Sequence, residues 1–268
     1  YNVESAGTLP SLIGDAKNII TSMKVTGKLN GTDILCIREM AGRDKVGNQT
    51  IGKLVDLDLS EADIVAGGDA YFNMYNNEMG TNDDVISEYM FDHCNLKHFV
   101  FPTTVTAIEG GAFGSCYNLS GTITGPDNIT RIANYAFEAC VSVEHFSLPA
   151  KLSDGQSYGK WAIGTNAFSG CHGLKDLVIP DGVKRITSNM CNDCIELTDV
   201  VLPSTVNYID GSSFKGCNKL ASIHIQATTP PYMGWGAFDD EILTTCTVYV
   251  PKGTAEAYKA KSGWSDFA

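Results

Sequence analysis

A short phrase of residues recurs along the middle and the end of this chain, and its period limits the folds that the chain can adopt. The copy from Leu174 to Cys194 reads LKDLVIPDGVKRITSNMCNDC, and the copy from Leu197 to Cys217 reads LTDVVLPSTVNYIDGSSFKGC. The two copies align at a constant offset of 23 residues, with leucine, proline, valine, isoleucine and cysteine at matching places. A fixed period of about 20–50 residues is the signature of stacked repeats. The chain is therefore predicted to form a solenoid in which successive repeats share one interior.

Each repeat is predicted to contribute one strand to a sheet and one buried segment to the opposite wall. The shared phrase is Leu-x-x-apolar-x-apolar-Pro, followed by Val-x-x-Ile and then by Ala-Phe-x-x-Cys. Side chains alternate along a strand, so the fourth and sixth residues should point inward and the third and fifth outward. Proline ends the strand because it has no N–H to donate. The predicted strands are 96–101, 119–125, 143–148, 174–179, 197–202 and 220–225.

Three stretches depart from this phrase. The third repeat has Thr122 and Gly125 where apolar residues are expected, which predicts a weak or bulged strand. Residues 65–85 carry the glycines and asparagines of a loop, yet they also hold Tyr71, Phe72, Met74, Tyr75 and Met79. This loop is expected to fold over the interior of the amino-terminal part, with a ligand-contacting tip as the alternative. A second insertion, near residues 151–163, should project as another loop.

Six of the nine cysteines occupy the same place in successive repeats: Cys94, Cys116, Cys140, Cys171, Cys194 and Cys217. A residue that recurs once per repeat is best explained as a small buried side chain, so free thiols are expected, with bridges between neighbouring repeats as the alternative. Cys191 and Cys194 have the spacing of a redox pair or half a zinc site. Cys191, however, stands where the other repeats have phenylalanine, and no second pair completes four ligands. We therefore predict a core substitution and no metal site.

The segments LKDLVIPDGVKRI and LTDVVLPSTVNYI and the Ala-Phe-x-x-Cys endings resemble the BspA-like leucine-rich repeats of Bacteroides-type bacterial surface proteins. Cys246–Phe267 resembles the segment that closes such arrays, and LNGTDILCIREMAG with GKLVDLDLS resembles their amino-terminal cap. The resemblance implies a right-handed coil with a β-sheet along one face and short helical caps at both ends. It also implies export to the cell surface or out of the cell, and binding of host or bacterial partners.

The predicted fold class is thus a BspA-like leucine-rich repeat solenoid with a period of about 23 residues. Residues 1–84 are expected to form the amino-terminal cap, which includes a first strand of the leucine-rich type and the irregular insertion. Residues 85–245 would hold about six repeats, and residues 246–268 would form the carboxyl-terminal cap. Within the first cap, Thr32 or Asp33 is predicted to begin a helix that closes at Gly42.

The candidate binding residues lie at outward places of the strands and on the second insertion. The strand residues are His98, His145, Asp176, Asp199, His224 and Tyr249, and the insertion residues are Tyr158 and Trp161. A solenoid commonly recognises partners through its broad face, and bulky aromatic side chains on a loop can anchor them. The alternatives are an ordinary solvated face and, for Trp161, packing on a neighbouring repeat. No cation site is predicted between Asp176 and Asp199, because two carboxylates make a poor calcium cage.

The net charge and the lack of catalytic or membrane-spanning motifs argue against several classes of function. The formal net charge of −12 argues against a nucleic-acid-binding surface. No apolar run reaches the length of a membrane span. No nucleophile elbow, phosphate-binding loop, metal-binding histidine pair or paired carboxylates occur in a suitable context, so neither an enzyme nor a cofactor is predicted.

We expect a monomeric, non-enzymatic scaffold that binds protein or glycan partners at the cell surface. A structural spacer or stalk within a larger surface assembly is the first alternative, and an enzyme whose chemistry lies in the insertions is the second. The protein is expected to be extracellular or on the cell surface. Any signal peptide or lipid-attachment cysteine is expected upstream of Tyr1.

Overall fold

Two helices and three parallel strands open the structure, a computed structural model that describes residues 1–154 and 161–267. These elements are β1 (Asn2–Val3), α1 (Leu9–Ile13), β2 (Ser22–Leu29), α2 (Gly31–Met40) and β3 (Asp56–Ile64), with a 3₁₀ helix at Gly14–Asn18. Strand β2 lies between β1 and β3 and pairs with both in parallel. Met23 and Val25 of β2 are buried, as the alternation of apolar and polar residues predicts.

A capping box begins α2, two or three residues earlier than the sequence suggested. The N-cap is Asn30, not Thr32 or Asp33, and the Asn30 side chain accepts a hydrogen bond from the Thr32 amide at 3.1 Å. The buried Asp33 carboxylate accepts from the Asn30 amide at 2.9 Å and completes the box. The same carboxylate also accepts from the amides of Gly7 and Leu9, at 2.6 and 2.9 Å. Asp33 therefore ties the start of α1 to the start of α2.

The first insertion is an antiparallel hairpin and not the predicted loop. It consists of β4 (Gly67–Met74) and β5 (Asn77–Thr81). Tyr71 and Phe72 are buried, and the Tyr71 hydroxyl donates to the Glu88 carbonyl at 2.6 Å. Tyr75, at the turn, is 96% exposed. The expectation that the aromatic residues cover an apolar interior is thus correct for Tyr71 and Phe72, whereas Tyr75 extends into solvent.

Strands of two lengths alternate through the repeats. The longer ones coincide with the predicted strands, and the two-residue ones lie at the Val-x-x-Ile part of the phrase. In chain order they are β6 (Val85–Ile86), β7 (His98–Val100), β8 (Ala107–Ile108), β9 (Ser120–Thr124), β10 (Arg131–Ile132), β11 (Ser142–Ser147), β12 (Asp176–Val178), β13 (Arg185–Ile186), β14 (Asp199–Leu202), β15 (Tyr208–Ile209), β16 (Ser222–Ile225) and β17 (Tyr232–Met233).

The carboxyl-terminal part contains α3 (Asp240–Thr245), β18 (Thr247–Tyr249), α4 (Ala255–Lys259) and a 3₁₀ helix at Trp264–Asp266. The buried indole of Trp264 donates to the Pro231 carbonyl at 2.7 Å. The Tyr258 hydroxyl donates to the Ala227 carbonyl, also at 2.7 Å. Each polar group of these two large side chains therefore has a partner in the preceding repeat while its ring covers the interior.

The strands of the repeats form two parallel ladders. The first ladder consists of the sheets β1–β2–β3–β7 and β9–β11–β12–β14–β16–β18. The second ladder consists of β6–β8–β10 and β13–β15–β17, and an isolated bridge from Ile132 to Ile163 continues it after β10. Parallel stacking lets the backbone groups of one repeat pair with those of the next. The right-handed winding and the capping role of the terminal helices stay predictions.

The third repeat forms a strand, and the irregularity lies beside it. The register between β9 and β11 shifts between Val143 and His145, which leaves Glu144 of β11 as the extra residue. Gly121 of β9 adopts a positive φ of 75°, a conformation that glycine tolerates best. On its other side β9 contacts β7 through a hydrogen bond from the Ser120 amide to the Lys97 carbonyl at 3.1 Å, but the two strands belong to different sheets.

Stacked phenylalanine rings fill the interior. The ring centroids of Phe91, Phe113, Phe137 and Phe168 follow one another at 5.4, 5.2 and 6.1 Å. Cys191 occupies the corresponding place in the next repeat and is fully buried, as the alignment predicts. The inward assignment of the repeated phenylalanines is therefore confirmed.

All nine cysteines are buried free thiols. Each repeated thiol from Cys116 onward donates to a backbone carbonyl of the preceding repeat, at 3.0–3.2 Å. Burial raises the pKa of Cys94 to about 11 and that of Cys171 to about 12, so both thiols stay protonated at neutral pH. The prediction of structural free thiols is confirmed, and the structure adds a hydrogen-bonding role.

Candidate binding surfaces

The outward residues of the first ladder form a largely polar surface, which we call the first-ladder face. It contains Asp56, His98, His145, Asp176, Asp199, Ser222, His224 and Tyr249. In-register pairing places Asp56 beside His98, and Nδ1 of the imidazole lies 2.5 Å from the carboxylate. A second such pair joins His145 to Asp176 at 2.8 Å. Two of the predicted histidines thus face carboxylates on adjacent strands.

Asp199 follows Asp176 in the same row and is held by hydroxyl groups. The Ser222 and Thr198 hydroxyls donate to its carboxylate, the latter at 2.6 Å. These hydrogen bonds, that of Ser222 first, lower the pKa of Asp199 below its ordinary value. The carboxylate is therefore fully ionised at neutral pH and can accept further hydrogen bonds from a partner.

The far end of the first-ladder face is aromatic. The rings of His224 and Tyr249 stack with centroids 4.4 Å apart and an interplanar angle of 4°. Tyr249 is 52% exposed, and Val178 in the same outward row is 56% exposed. Polar pairs and exposed apolar side chains therefore lie side by side on this face, a combination that protein interfaces use.

Of the two insertion residues, the structure describes Trp161 and places it away from the first-ladder face. Tyr158 lies outside the described residues. Trp161 is half-buried on the second ladder, where the Arg185 guanidinium carbon lies 4.9 Å from its ring centroid. The packing of Trp161 on a neighbouring repeat, which the sequence left as an alternative, is what the structure shows.

Trp161 belongs to a stacked row along the second ladder, which we call the second-ladder column. Arg185 also lies 4.0 Å from the Tyr208 ring, and Tyr208 stacks on Tyr232 at 4.5 Å. The Arg185 guanidinium binds both carboxylate oxygens of Asp210, at 2.8 and 2.5 Å. A bidentate pair of this kind fixes the plane of the guanidinium. It thereby holds the guanidinium in place between the rings of Trp161 and Tyr208.

Two clefts flank this column. The first has a volume of about 460 Å³ and a floor of small residues, Gly110, Ala133 and Gly164, between Trp161 and the ion pair of Arg131 with Glu109. The second, the carboxyl-end cleft, has a volume of about 450 Å³. Its lining includes Tyr232, Trp235, Asp240, Ser262 and Asp266. Both volumes lie within the range of ligand sites in proteins.

Sequence reasoning missed the carboxyl-end cleft. Trp235 is 95% exposed, although it directly precedes the repeated Gly-Ala-Phe segment. The available signal was the stretch PPYMGWGAF, which places two aromatic residues in a turn rich in proline and glycine. The cleft itself depends on residues 262–266, whose return to this turn no local pattern indicates.

Neither a metal site nor a membrane helix is found in the described ranges. Across residues 1–154 and 161–267, no three histidine, cysteine or acidic side chains are grouped in a way that could hold a metal ion. In the same ranges no helix is both long enough and apolar enough to cross a membrane.

Parallel ladders around a shared apolar interior define a leucine-rich repeat protein. A family model described as the BspA type leucine rich repeat region matches residues 84–159 and 161–257 with six copies. The chain therefore belongs to the BspA-type leucine-rich repeat family, as its repeats predict. A comparison with curated proteins finds no match.

Several solved structures are similar to this chain. A leucine-rich repeat protein from Bacteroides ovatus has 19% sequence identity and a TM-score of 0.45, and the match covers 64% of this chain and 43% of that one. The T. pallidum leucine rich repeat protein has 21% identity and a TM-score of 0.40, with coverage of 55% and 67%. A leucine rich cell surface protein from Faecalibacterium prausnitzii has 16% identity and a TM-score of 0.41, with coverage of 91% and 83%. This chain thus matches less than half the length of the Bacteroides ovatus protein.

Proposed function

We propose that this protein is a non-enzymatic scaffold whose first-ladder face binds a protein partner at the cell surface. The observation that supports this most strongly is the exposure of that face along the repeats. Val178 and Tyr249 leave about half of their surface in solvent. Val178 lies on the strand that carries Asp176, next to the strand of Asp199, and Tyr249 lies beside His224. Apolar anchors surrounded by polar groups are what a recognition surface needs.

A binding role accounts for the polar pairs better than catalysis does. Nδ1 of His145 lies 2.8 Å from the Asp176 carboxylate, a distance that a general base and its orienting group also share. Catalysis would further need a nucleophile hydrogen-bonded to that imidazole, and none is found among the described residues. We therefore assign the pair to recognition and expect no cofactor.

The location and the domain division belong to the same proposal. The Faecalibacterium prausnitzii relative is described as a cell surface protein, and we extend an extracellular or cell-surface location to this chain. We further propose that residues 1–84 cap the first repeat, that residues 85–245 form the repeat array, and that residues 246–268 close it. A monomer suits this arrangement, because both ends of the apolar interior would be covered.

The test is attachment of the purified protein to immobilised matrix proteins, with fibronectin, laminin and collagen as probes in a surface-binding assay. We expect saturable binding to at least one, weakened by about tenfold or more in the double variant His145→Ala/Asp176→Ala. The matched control is Lys219→Ala, which removes an exposed ion pair with Glu196 that involves no residue assigned to this face.

Two results would count against this function. Absence of binding to all three probes would favour the alternative of a structural spacer or stalk. Equal binding by the wild type and the double variant would move the contact away from the first-ladder face. Circular dichroism of each variant shows whether the fold is retained, since both changed residues are solvent-exposed or partly so.

A further inference from the structure

The side chain of Trp235 lies almost entirely in solvent. Its indole is 95% exposed, whereas Trp264 is 4% exposed and covers the interior. Single exposed apolar side chains are common in soluble proteins, so the position of Trp235 matters more than its exposure. The indole borders the carboxyl-end cleft, where it can contact a bound ligand.

The backbone that carries Trp235 is held firmly by the preceding repeat. The Gly234 amide donates to the Ile209 carbonyl at 2.7 Å, and the Ser212 amide donates to the Gly236 carbonyl at 3.0 Å. Gly211 has no side chain, and a Cβ atom there would lie 2.8 Å from the Trp235 carbonyl oxygen. This close approach fixes the turn, so the indole projects from a preorganised position.

A second aromatic side chain, that of Tyr232, lines the same cleft. Its ring packs against that of Tyr208, with centroids 4.5 Å apart and an interplanar angle of 30°, and remains 49% exposed. Within the described ranges β17 is the last strand of the second ladder, so the second-ladder column ends at this ring. Trp235 and Tyr232 together border the carboxyl-end cleft, whose volume is about 450 Å³.

The cleft is also lined by apolar residues, among them Met233 and Leu243, and by three polar ones. The polar residues are Asp240, Ser262 and Asp266, which supply two carboxylates and one hydroxyl. Carboxylates accept hydrogen bonds from hydroxyl groups, and a serine hydroxyl can both donate and accept. The two carboxylates repel anionic ligands such as phosphates, sulfates and uronic acids.

We propose that the carboxyl-end cleft binds a neutral carbohydrate. A pyranose ring has an apolar C–H face, which is attracted to the negative face of an indole or phenol ring, and a rim of hydroxyl groups that the carboxylates and Ser262 can bind. A protein partner fits less well, because a specific protein interface buries about 800 Å² on each side around a packed apolar centre. Here single aromatic rings border a small acidic cleft. This inference does not depend on the first-ladder face.

The test uses isothermal titration with four neutral tetrasaccharides, namely cellotetraose, maltotetraose, mannotetraose and chitotetraose, and with polygalacturonate as the anionic comparison. We expect saturable binding of at least one neutral tetrasaccharide and none of polygalacturonate. Trp235→Ala should weaken the binding by more than about tenfold, and Asp240→Asn should weaken it less. Because Trp235 is almost fully exposed, its variant should unfold at the wild-type temperature.

Tyr117→Ala is the matched control, since it removes another half-exposed aromatic ring, which does not line the cleft. It should leave carbohydrate binding unchanged. The proposal is overturned if the wild type binds none of the tetrasaccharides, or if Trp235→Ala binds them as well as the wild type. It is also overturned if Trp235 is required for capture of a matrix protein while no carbohydrate binds. Loss of matrix-protein binding in His145→Ala/Asp176→Ala, with carbohydrate binding retained, would separate the two proposed surfaces.

Discussion

Cysteine recurs in the repeats because its thiol completes the hydrogen bonding of a buried carbonyl. The Phe137 carbonyl accepts from the Cys140 amide of its own repeat at 3.2 Å and from the Cys171 thiol of the next repeat, also at 3.2 Å. Alanine or valine would fit the space but could not donate, and a backbone carbonyl has room for two hydrogen bonds. A weak donor on a small apolar side chain therefore suits this position.

Titration of these thiols should make the protein sensitive to alkaline pH. Burial raises the pKa of Cys171 from 9.0 to about 12. Because the folded thiol holds its proton more tightly than the unfolded one, its contribution to stability is complete below the unfolded pKa and is lost as the pH rises from there towards the folded value. We expect the free energy of unfolding, measured in urea under reducing conditions, to fall across this range.

The matched variant is Cys171→Ser, which keeps a donor for the Phe137 carbonyl but does not titrate there. Its stability should decline less steeply with rising pH than that of the wild type. The comparison concerns the slopes, since serine has its own cost of burial at neutral pH. Parallel slopes would show that the Cys171 thiol does not contribute to the alkaline loss.

The stacked phenylalanine rings lead to a second prediction for a single residue, Phe168. Phe168 is fully buried, with its ring 4.5 Å from that of Phe146 and 6.1 Å from that of Phe137. Phe168→Ala should lower the free energy of unfolding by about 3–5 kcal/mol, because it leaves a cavity among rings that cannot collapse freely. Urea denaturation measures the loss, with Phe168→Leu as a milder control. A loss below about 1 kcal/mol would contradict the inward assignment.

At the scale of elements, Asp154 joins the second insertion to the following repeat. Its carboxylate, which is 8% exposed, accepts from the Ala162 amide at 2.7 Å and from the Lys184 and Arg185 amides at 2.5 and 3.0 Å. The Asp154 carboxylate thus serves as the acceptor for the Lys184 and Arg185 amides at the start of β13, in place of backbone carbonyls of the preceding repeat. Buried amides left without acceptors would be costly.

Asp154→Ala should therefore destabilise the protein by about 1–3 kcal/mol, since it removes the acceptor of three amides. Denaturation in urea gives the value. Asp181→Ala is the control, because Asp181 is an exposed carboxylate in the neighbouring turn. Among residues 1–154 and 161–267, only Ser204 donates a hydrogen bond to it, at 3.4 Å. Similar losses in the two variants would mean that Asp154 is not the joining residue.

At the scale of the whole molecule, the cooperativity of unfolding depends on how well the carboxyl-terminal end of the apolar interior is covered. Trp264, which we propose covers the last repeat, is 4% exposed and donates to the Pro231 carbonyl at 2.7 Å. In stacked repeats each unit is stabilised mainly by its neighbours, so an uncovered end weakens the units next to it first.

We expect Trp264→Ala to lower the stability by about 3–5 kcal/mol and to separate the unfolding of the last repeats from the rest. Hydrogen exchange followed by mass spectrometry would show faster exchange in β16 and β18 than in β7 and β9. Trp264→Phe keeps a ring but loses the N–H, so it should cost less. Uniformly faster exchange along the chain would instead show that the molecule unfolds as one unit.

Much of the fold was predictable because the repeat supplies six copies of one local environment. Comparison of the copies identified the inward phenylalanines and cysteines, the outward histidines and aspartates, and the core role of Cys191. The insertions and the amino-terminal part have no second copy to compare. For that reason the hairpin at residues 67–81 was predicted as a loop. For the same reason the start of α2 was placed at Thr32 or Asp33 instead of Asn30.

The sequence by itself determined the stacked repeats, the family and the composition of the interior, since burial of a periodic apolar pattern leaves few other solutions. Only the tertiary structure decided where the irregular segments lie. It placed Trp161 on the second ladder, paired each of two histidines with an aspartate, and brought residues 262–266 beside Trp235 to form the carboxyl-end cleft. These contacts join residues distant in the chain, and their energy depends on packing that no local pattern records.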